Sequence, residues 1–201
     1  MAYWKRTQTT LAAILTAALT ATLFTTPTHA KELAIWDQLQ GTNPKGYVLL
    51  MRHALAPGVG DPENFNVNDC STQRNLSEEG RQDAREIGQW LQRREVKILR
   101  VESSRWCRAK ETAQLLNIGK VRPNRNLDSL FQESDLLNHP QTANIKKRIQ
   151  SHRNTRGLLV FVGHFVNFQA VAGVSLDSGE GVLIKATPSG EFKVMGYSPK
   201  P

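Results

Sequence analysis

The run from Tyr47 to Ala54, YVLLMRHA, constrains this chain more than any other stretch. Val48 to Met51 are four consecutive apolar residues, the pattern of a strand buried on both faces, and such strands are mostly the central parallel strands of α/β sheets. Arg52 and His53 follow at once. In open α/β sheets ligands bind beyond the carboxyl ends of the strands, so this arginine and histidine stand where chemistry is usually done.

The chain repeats that delivery. Gly157 to Val162 (GLLVFV) is a second fully apolar strand, and Gly163-His164 follow it as Arg52-His53 follow the first. Between them, Val96 to Val101 (VKILRV) reads as a strand ending at Glu102-Ser103-Ser104. A helix is expected from about Arg105 to Leu116, with Ala109, Thr112, Ala113 and Leu116 at helical spacing. Arg108 then lies in the first turn of a helix that starts at a strand end, where free backbone N–H groups and the positive helix terminus favour phosphate.

The remaining chain fills in a sheet with helices on its faces. Ser77 is a good N-cap, followed by Glu78 and Glu79, for a helix to about Arg94 whose inward stripe is Ala84, Ile87, Gly88 and Leu91. Short helices are expected at Ala34 to Leu39 and Thr142 to His152, an edge strand at Lys120 to Pro123, and a crossover helix at Phe165 to Ala172. Gly181 to Lys185 and Phe192 to Tyr197 alternate about a Pro-Ser-Gly turn, which reads as an antiparallel hairpin at the sheet edge. The fold expected is a three-layer α/β/α sandwich with a mostly parallel central sheet. Leu55 to Arg74, rich in Pro, Gly, Asn and Asp, is a long loop of the kind that forms lids or binding rims. Trp90 and Trp106 read as packing residues, and His139 and His152 as surface residues.

The N-terminus sets the compartment. Lys5 and Arg6 precede an apolar, small-residue run from Leu11 to Phe24, and Thr28-His29-Ala30 offers small residues where signal peptidase needs them. That run is short of the ~20 residues that span a bilayer, so residues 1–30 are read as a signal peptide and 31–201 as one exported domain, periplasmic or secreted, with no stable membrane span after cleavage. The chain carries 26 basic and 18 acidic residues, net +8; losing Lys5 and Arg6 leaves +6. The excess suits an anionic substrate. The basic residues are scattered, without aromatic interleaving or runs of five like charges, which argues against nucleic acid. Cys70 and Cys107 are the only cysteines; in an oxidising compartment they read as a disulfide, with buried free thiols or a catalytic thiol as the alternatives.

Parallel strands point their carboxyl ends to one rim, so His53, Arg108 and His164 should converge, with Arg52 beside them. Two histidines and two arginines are a poor metal site, because catalytic zinc usually takes three protein ligands and guanidiniums repel a cation. They suit a dianion. Planar guanidinium forks match the oxygens of a phosphoryl group, and a neutral imidazole nitrogen between them can attack phosphorus without a cofactor.

Four motifs in order carry a family likeness: LMRHA, then RNLSEEGRQDA from Arg74 to Ala84, SSRWCRAKETA from Ser103 to Ala113, and VFVGH from Val160 to His164. The chain resembles the histidine phosphatase superfamily, the phosphoglycerate-mutase-like fold, over nearly the whole domain after residue 30. That resemblance implies a phosphomonoesterase in which His53 is the phosphorylated nucleophile, Arg52 and Arg108 the phosphate clamps, and His164 the second histidine of the pocket. The signature's third residue is Ala54 where many members have Gly. The family's proton donor is a Glu in a Leu-x-Glu-x-x-x-Gly context; Leu130-Phe131-Gln132-Glu133 is offset by one and lacks the Gly, so Glu133 is the candidate acid and Asp135 its rival. Within that family the chain resembles the small exported phosphatases that act on lipopolysaccharide-core heptose phosphates, which implies a small phosphorylated, sugar-like substrate. Cys70 and Cys107 flank two of these segments, and a disulfide there would pin the long loop beside Arg108. The alternative is a non-catalytic binder of phosphate esters or glycan phosphates on the same fold.

Overall fold

The computed structural model describes residues 35–198; the expected signal peptide lies outside them. Tyr47–Arg52 (β1), Ile98–Ser103 (β2), Val121–Pro123 (β3), Leu158–Gly163 (β4), Gly181–Ala186 (β5) and Phe192–Tyr197 (β6) form one six-stranded sheet in the order β3-β2-β4-β1-β5-β6. β3, β2, β4 and β1 run parallel, and β5 and β6 join antiparallel. The sheet is mixed, with its parallel part carrying the Arg-His ends and its hairpin at the edge, as the patterning implied.

Period-two alternation sorts each central strand between two cores. Leu49 and Met51 of β1 and Leu158, Val160 and Val162 of β4 face one side, where residues 35–39 (α1), Glu78–Arg93 (α2) and Cys107–Leu115 (α3) cover them. Val48, Leu50, Leu159 and Phe161 face the other, against Pro140–His152 (α4) and Phe165–Ala172 (α5). Both cores are fully buried, giving the three layers. Among the described residues no helix is long and apolar enough to cross a membrane.

Local chemistry sets the helix limits. Ser77 caps α2 by accepting the Gly80 N–H, and Glu78 and Glu79 occupy its first turn. α4 starts at Pro140, two residues before the expected Thr142, because proline suits a first helical position and the His139 ring accepts the Gln141 N–H. α5 stops at Gly173, whose φ of 68° is the left-handed conformation that closes helices.

Two expectations need correction. β2 begins two residues later than its apolar run, at Ile98, because it pairs from there with Leu158 and extends through Glu102 and Ser103 to reach the same rim as β4. Val96 remains buried in the α2-side core although it lies outside the strand. His152 is buried, its Nε2 bonded to the Gly157 carbonyl at 2.9 Å, because the end of α4 turns it beneath the chain entering β4.

Two glycines set how α2 seats. A methyl group on Gly88 would overlap the Leu116 carbonyl after α3, and one on Gly80 would overlap the backbone of Leu55. Helix α2 therefore lies in direct contact with both the end of α3 and the segment that leaves His53.

Candidate active site

His53 leaves β1 with its backbone tied to the next strand: its N–H donates to the Gly163 carbonyl at 2.9 Å, and its carbonyl accepts the Gly179 N–H at 3.1 Å. The imidazole is buried. Its Nδ1 lies 2.8 Å from the Ala54 carbonyl, which can only accept, so Nδ1 carries the proton and Nε2 is left with its lone pair. Arg108 Nε approaches that nitrogen at 3.3 Å.

Arg108, the second residue of α3, is almost wholly buried. The expected anion cradle of free N–H groups is partly occupied, since the Cys107 N–H donates to Gln73 Oε1 at 2.8 Å. Arg108 therefore contributes chiefly its side chain. Thr112, one turn on, donates its hydroxyl to the Arg108 carbonyl at 2.7 Å and accepts the Ala54 N–H at 3.0 Å. One hydroxyl thus joins the clamp helix to the residue after His53.

His164 opens α5, and its ring centroid is 5.4 Å from that of His53 in an edge-on arrangement. Its Nε2 lies 3.0 Å from Ser104 Oγ, beyond the end of β2. Arg52 donates from Nη1 to the Leu176 carbonyl at 3.0 Å, and its Nε is buried with no acceptor. A buried donor without a partner favours an arriving acceptor. The four residues singled out from strand ends thus line one cavity of about 660 Å³.

Burial pushes the His53 pKa down to about 3, with the charges of Arg108, Arg52 and Arg74 acting in the same direction. Burial, then His53 and the same three arginines, holds His164 well below the ordinary range. Both imidazoles are therefore neutral near pH 7, so Nε2 of His53 carries no proton and its lone pair accepts the Arg108 Nε–H.

Three residues of the site were not expected from sequence. Asp61, from the long loop, accepts from Arg108 Nη1 and Nη2 at 2.7 and 3.1 Å, from Trp106 Nε1 at 3.0 Å and from the Arg74 N–H at 3.1 Å. Burial alone would raise its pKa, but these bonds and the Arg108 charge outweigh it and hold the carboxyl below its usual value. Arg74 lines the cavity and fastens the loop by donating to the Gly60 and Ala56 carbonyls. Its place directly before the Asn-Leu-Ser that starts α2 was the available signal. Trp106, expected to be packing, instead forms a wall: it stacks on Phe65 at 4.8 Å between centroids and stands edge-on to His164 at 5.8 Å.

Glu133 lines the cavity from its exposed rim. Asp135 does not line it and bonds to Asn138 instead. Arg105 points away, paired with Asp128 at 2.6 Å. Cys70 and Cys107 are disulfide-bonded, so the long loop is joined covalently to the first residue of α3.

Comparison with solved structures returns phosphatases of low sequence identity. The protein histidine phosphatase SixA complexed with tungstate superposes with a TM-score of 0.58 at 17% identity, covering 76% of this chain and 96% of that one. The mycobacterial glucosyl-3-phosphoglycerate phosphatase gives 0.54 at 14%, covering 77% and 99%. The phosphoserine phosphatase of Entamoeba histolytica in complex with 3-phosphoglyceric acid gives 0.56 at 13%, covering 77% and 97%. These likenesses establish a shared fold. No curated protein matches the chain. The model of the histidine phosphatase superfamily, branch 1, matches residues 48–154, just over half of the chain and inclusive of Arg52, His53 and Arg108. On that match, with a sheet that brings His164 to the same cavity, the chain belongs to the histidine phosphatase superfamily and is a phosphatase.

Proposed function

We propose that the chain is an exported, metal-independent phosphomonoesterase that works through a phosphohistidine at His53. The observation that carries this reading is the placement of His53 Nε2, unprotonated because Nδ1 serves Ala54, and 3.3 Å from Arg108 on the floor of the cavity. The lone pair of Nε2 attacks phosphorus, and the leaving oxygen departs from the opposite side with the electron pair of the broken P–O bond. Water then attacks phosphorus, the N–P bond returns its pair to Nε2, and inorganic phosphate is released.

Arg108 and Arg52 bind the equatorial oxygens, where charge-assisted bonds gain strength as charge develops in a site shielded from water. His164 closes the pocket beside His53. Glu133 stands where it could protonate a leaving group, at the mouth rather than the floor. Three guanidiniums and two neutral imidazoles favour a dianion over a cation, which supports turnover without metal. Export rests on the layout of residues 1–30, ahead of a catalytic domain over 31–201, and places the enzyme in the periplasm or outside the cell.

The test is hydrolysis of p-nitrophenyl phosphate with chelator present. His53→Ala is expected to lower kcat on the order of 10⁴-fold or more, and acid-labile phosphoenzyme should form only in the wild type. Unchanged turnover in the variant, or a requirement for added metal, would refute the mechanism.

A further inference from the structure

The mouth of the cavity is unlike its floor. Four separate segments bring apolar side chains to it: Val59 and Phe65 from the long loop, Trp106 from the start of α3, Phe131 from the segment after Leu127, and Phe165 from the first turn of α5, with the exposed Glu63, Gln132 and Glu133 lining the cavity beside them. Val59 is 84% exposed and Phe131 49% exposed. Large apolar side chains left in solvent around one opening, above a floor of cations, are the usual composition of a ligand-binding rim.

The direction of the reaction says what this rim meets. His53 attacks from the floor, and in-line displacement sends the leaving oxygen to the far side of phosphorus, toward the opening. The body of the leaving group therefore lies among these side chains. Phe65 and Trp106 are stacked within 25° of parallel, forming a two-ring aromatic stack in the cavity lining, and Phe131 lines the same cavity. Aromatic rings pair with such surfaces beyond the area they bury.

We propose, resting on the phosphatase reading above, that this collar is a leaving-group subsite for aromatic phosphomonoesters, with Val59, Phe65, Trp106 and Phe131 as its specificity-determining residues. In the first step the N–P bond forms at His53 as the P–O bond to the ring oxygen breaks. The oxygen keeps the pair and leaves as a phenolate, which takes its proton from solvent. A phenol ionises near pH 10, far more readily than an alkyl hydroxyl, so this departure asks little of an acid. That matches a cavity whose inner carboxylate, Asp61, is tied to Arg108. Sugar phosphates, the class implied by the exported likeness, are the rivals: their leaving oxygens depend more on a proton donor, and their hydroxyls would find partners in Glu63, Ser129, Gln132 and Glu133 rather than in the rings.

Titration calorimetry with uncleavable phosphonates separates this subsite from the chemistry. Phenylphosphonate is expected to bind the full-length domain about tenfold or more tighter than methylphosphonate, the scale set by burying one ring. It should also bind tighter than cyclohexylphosphonate and the uncleavable methylene phosphonate analogue of glucose 6-phosphate. In Phe131→Ser and Val59→Ser, both at exposed positions that fold does not depend on, the phenyl-to-methyl ratio should fall toward one. Equal binding of phenyl- and methylphosphonate, cyclohexyl matching phenyl, the glucose phosphonate matching phenyl, or a ratio untouched by both substitutions would each overturn the assignment. The phosphatase reading fails separately, by turnover that His53→Ala leaves intact.

Discussion

Asp61 holds both outer nitrogens of Arg108, at 2.7 and 3.1 Å, while the inner Nε of the same guanidinium faces His53. A carboxylate thus sits on the clamp where phosphate oxygens are proposed to bind. Charge-assisted bonds of this geometry are among the strong ones, so an arriving dianion must compete with Asp61 or share Arg108 with it. Asp61→Asn keeps the shape and removes the charge. Inorganic phosphate should then inhibit at roughly tenfold lower concentration. Weaker inhibition in the variant would mean that Asp61 holds Arg108 in position instead of competing for it.

The depressed pKa of His53 gives a signed pH dependence. Above pH 6.5 the ring is neutral whether the chain is folded or not, and its contribution to stability is constant. Between 6.5 and about 3 the unfolded chain takes up a proton that the folded chain refuses, so stability falls as pH falls through this window. One such group changes stability by up to about 1.4 kcal/mol per pH unit. Urea midpoints at pH 7, 5.5 and 4 should therefore drop more steeply for the wild type than for His53→Gln. Parallel curves would contradict the buried, neutral assignment.

Reduction should act on the site through the Cys70–Cys107 bond. The bridge closes a separation of 37 residues and joins the loop that bears Asp61 and Arg74 to the helix that bears Arg108. Removing a link of this kind typically costs about 3 kcal/mol. Cys70→Ser should lower the unfolding midpoint accordingly and reduce kcat/KM, and dithiothreitol should reproduce both effects in the wild type while leaving the variant unaffected. A variant as active and stable as the wild type would place the bridge outside the determinants of the site.

Gly88→Ala tests the seating of α2. In an exposed helix interior the change would add about 1 kcal/mol of stability, since glycine is the poorer helix former. Here the new methyl meets the Leu116 backbone, which cannot yield like the end of a flexible side chain. A loss of about 1–3 kcal/mol is expected by chemical denaturation. A gain would show that α2 and α3 can separate at little cost.

What could be read from sequence follows from how each feature is encoded. β1 and β4 announce themselves because strands buried on both faces are apolar at every position, and their ends deliver Arg52, His53 and His164 together. α2 was legible through Ser77 and its buried stripe. Asp61 was not, because one acid in a loop of Pro, Gly and Asn has no periodicity, and its role arises only when the loop folds back onto Arg108. Trp106 reads as packing from sequence because hydrophobicity does not distinguish a core ring from one lining a cavity. His152 reads as a surface residue from sequence because burial at the end of α4 depends on how the chain re-enters the sheet, a tertiary circumstance with no local signal.

The hydroxyl of Thr112 has a consequence for how this site tolerates disturbance. Since it bonds on one side to Arg108 and on the other to Ala54, the attacking nitrogen and the cation that receives the developing charge share a common anchor on α3. The outer loop is tied to the same helix through Asp61 and the Cys70–Cys107 bond, so a displacement of the loop is carried to Arg108 as well. Sliding of α3 would load the Thr112 bond to Ala54 and pull attacker and receiver out of line in a single movement.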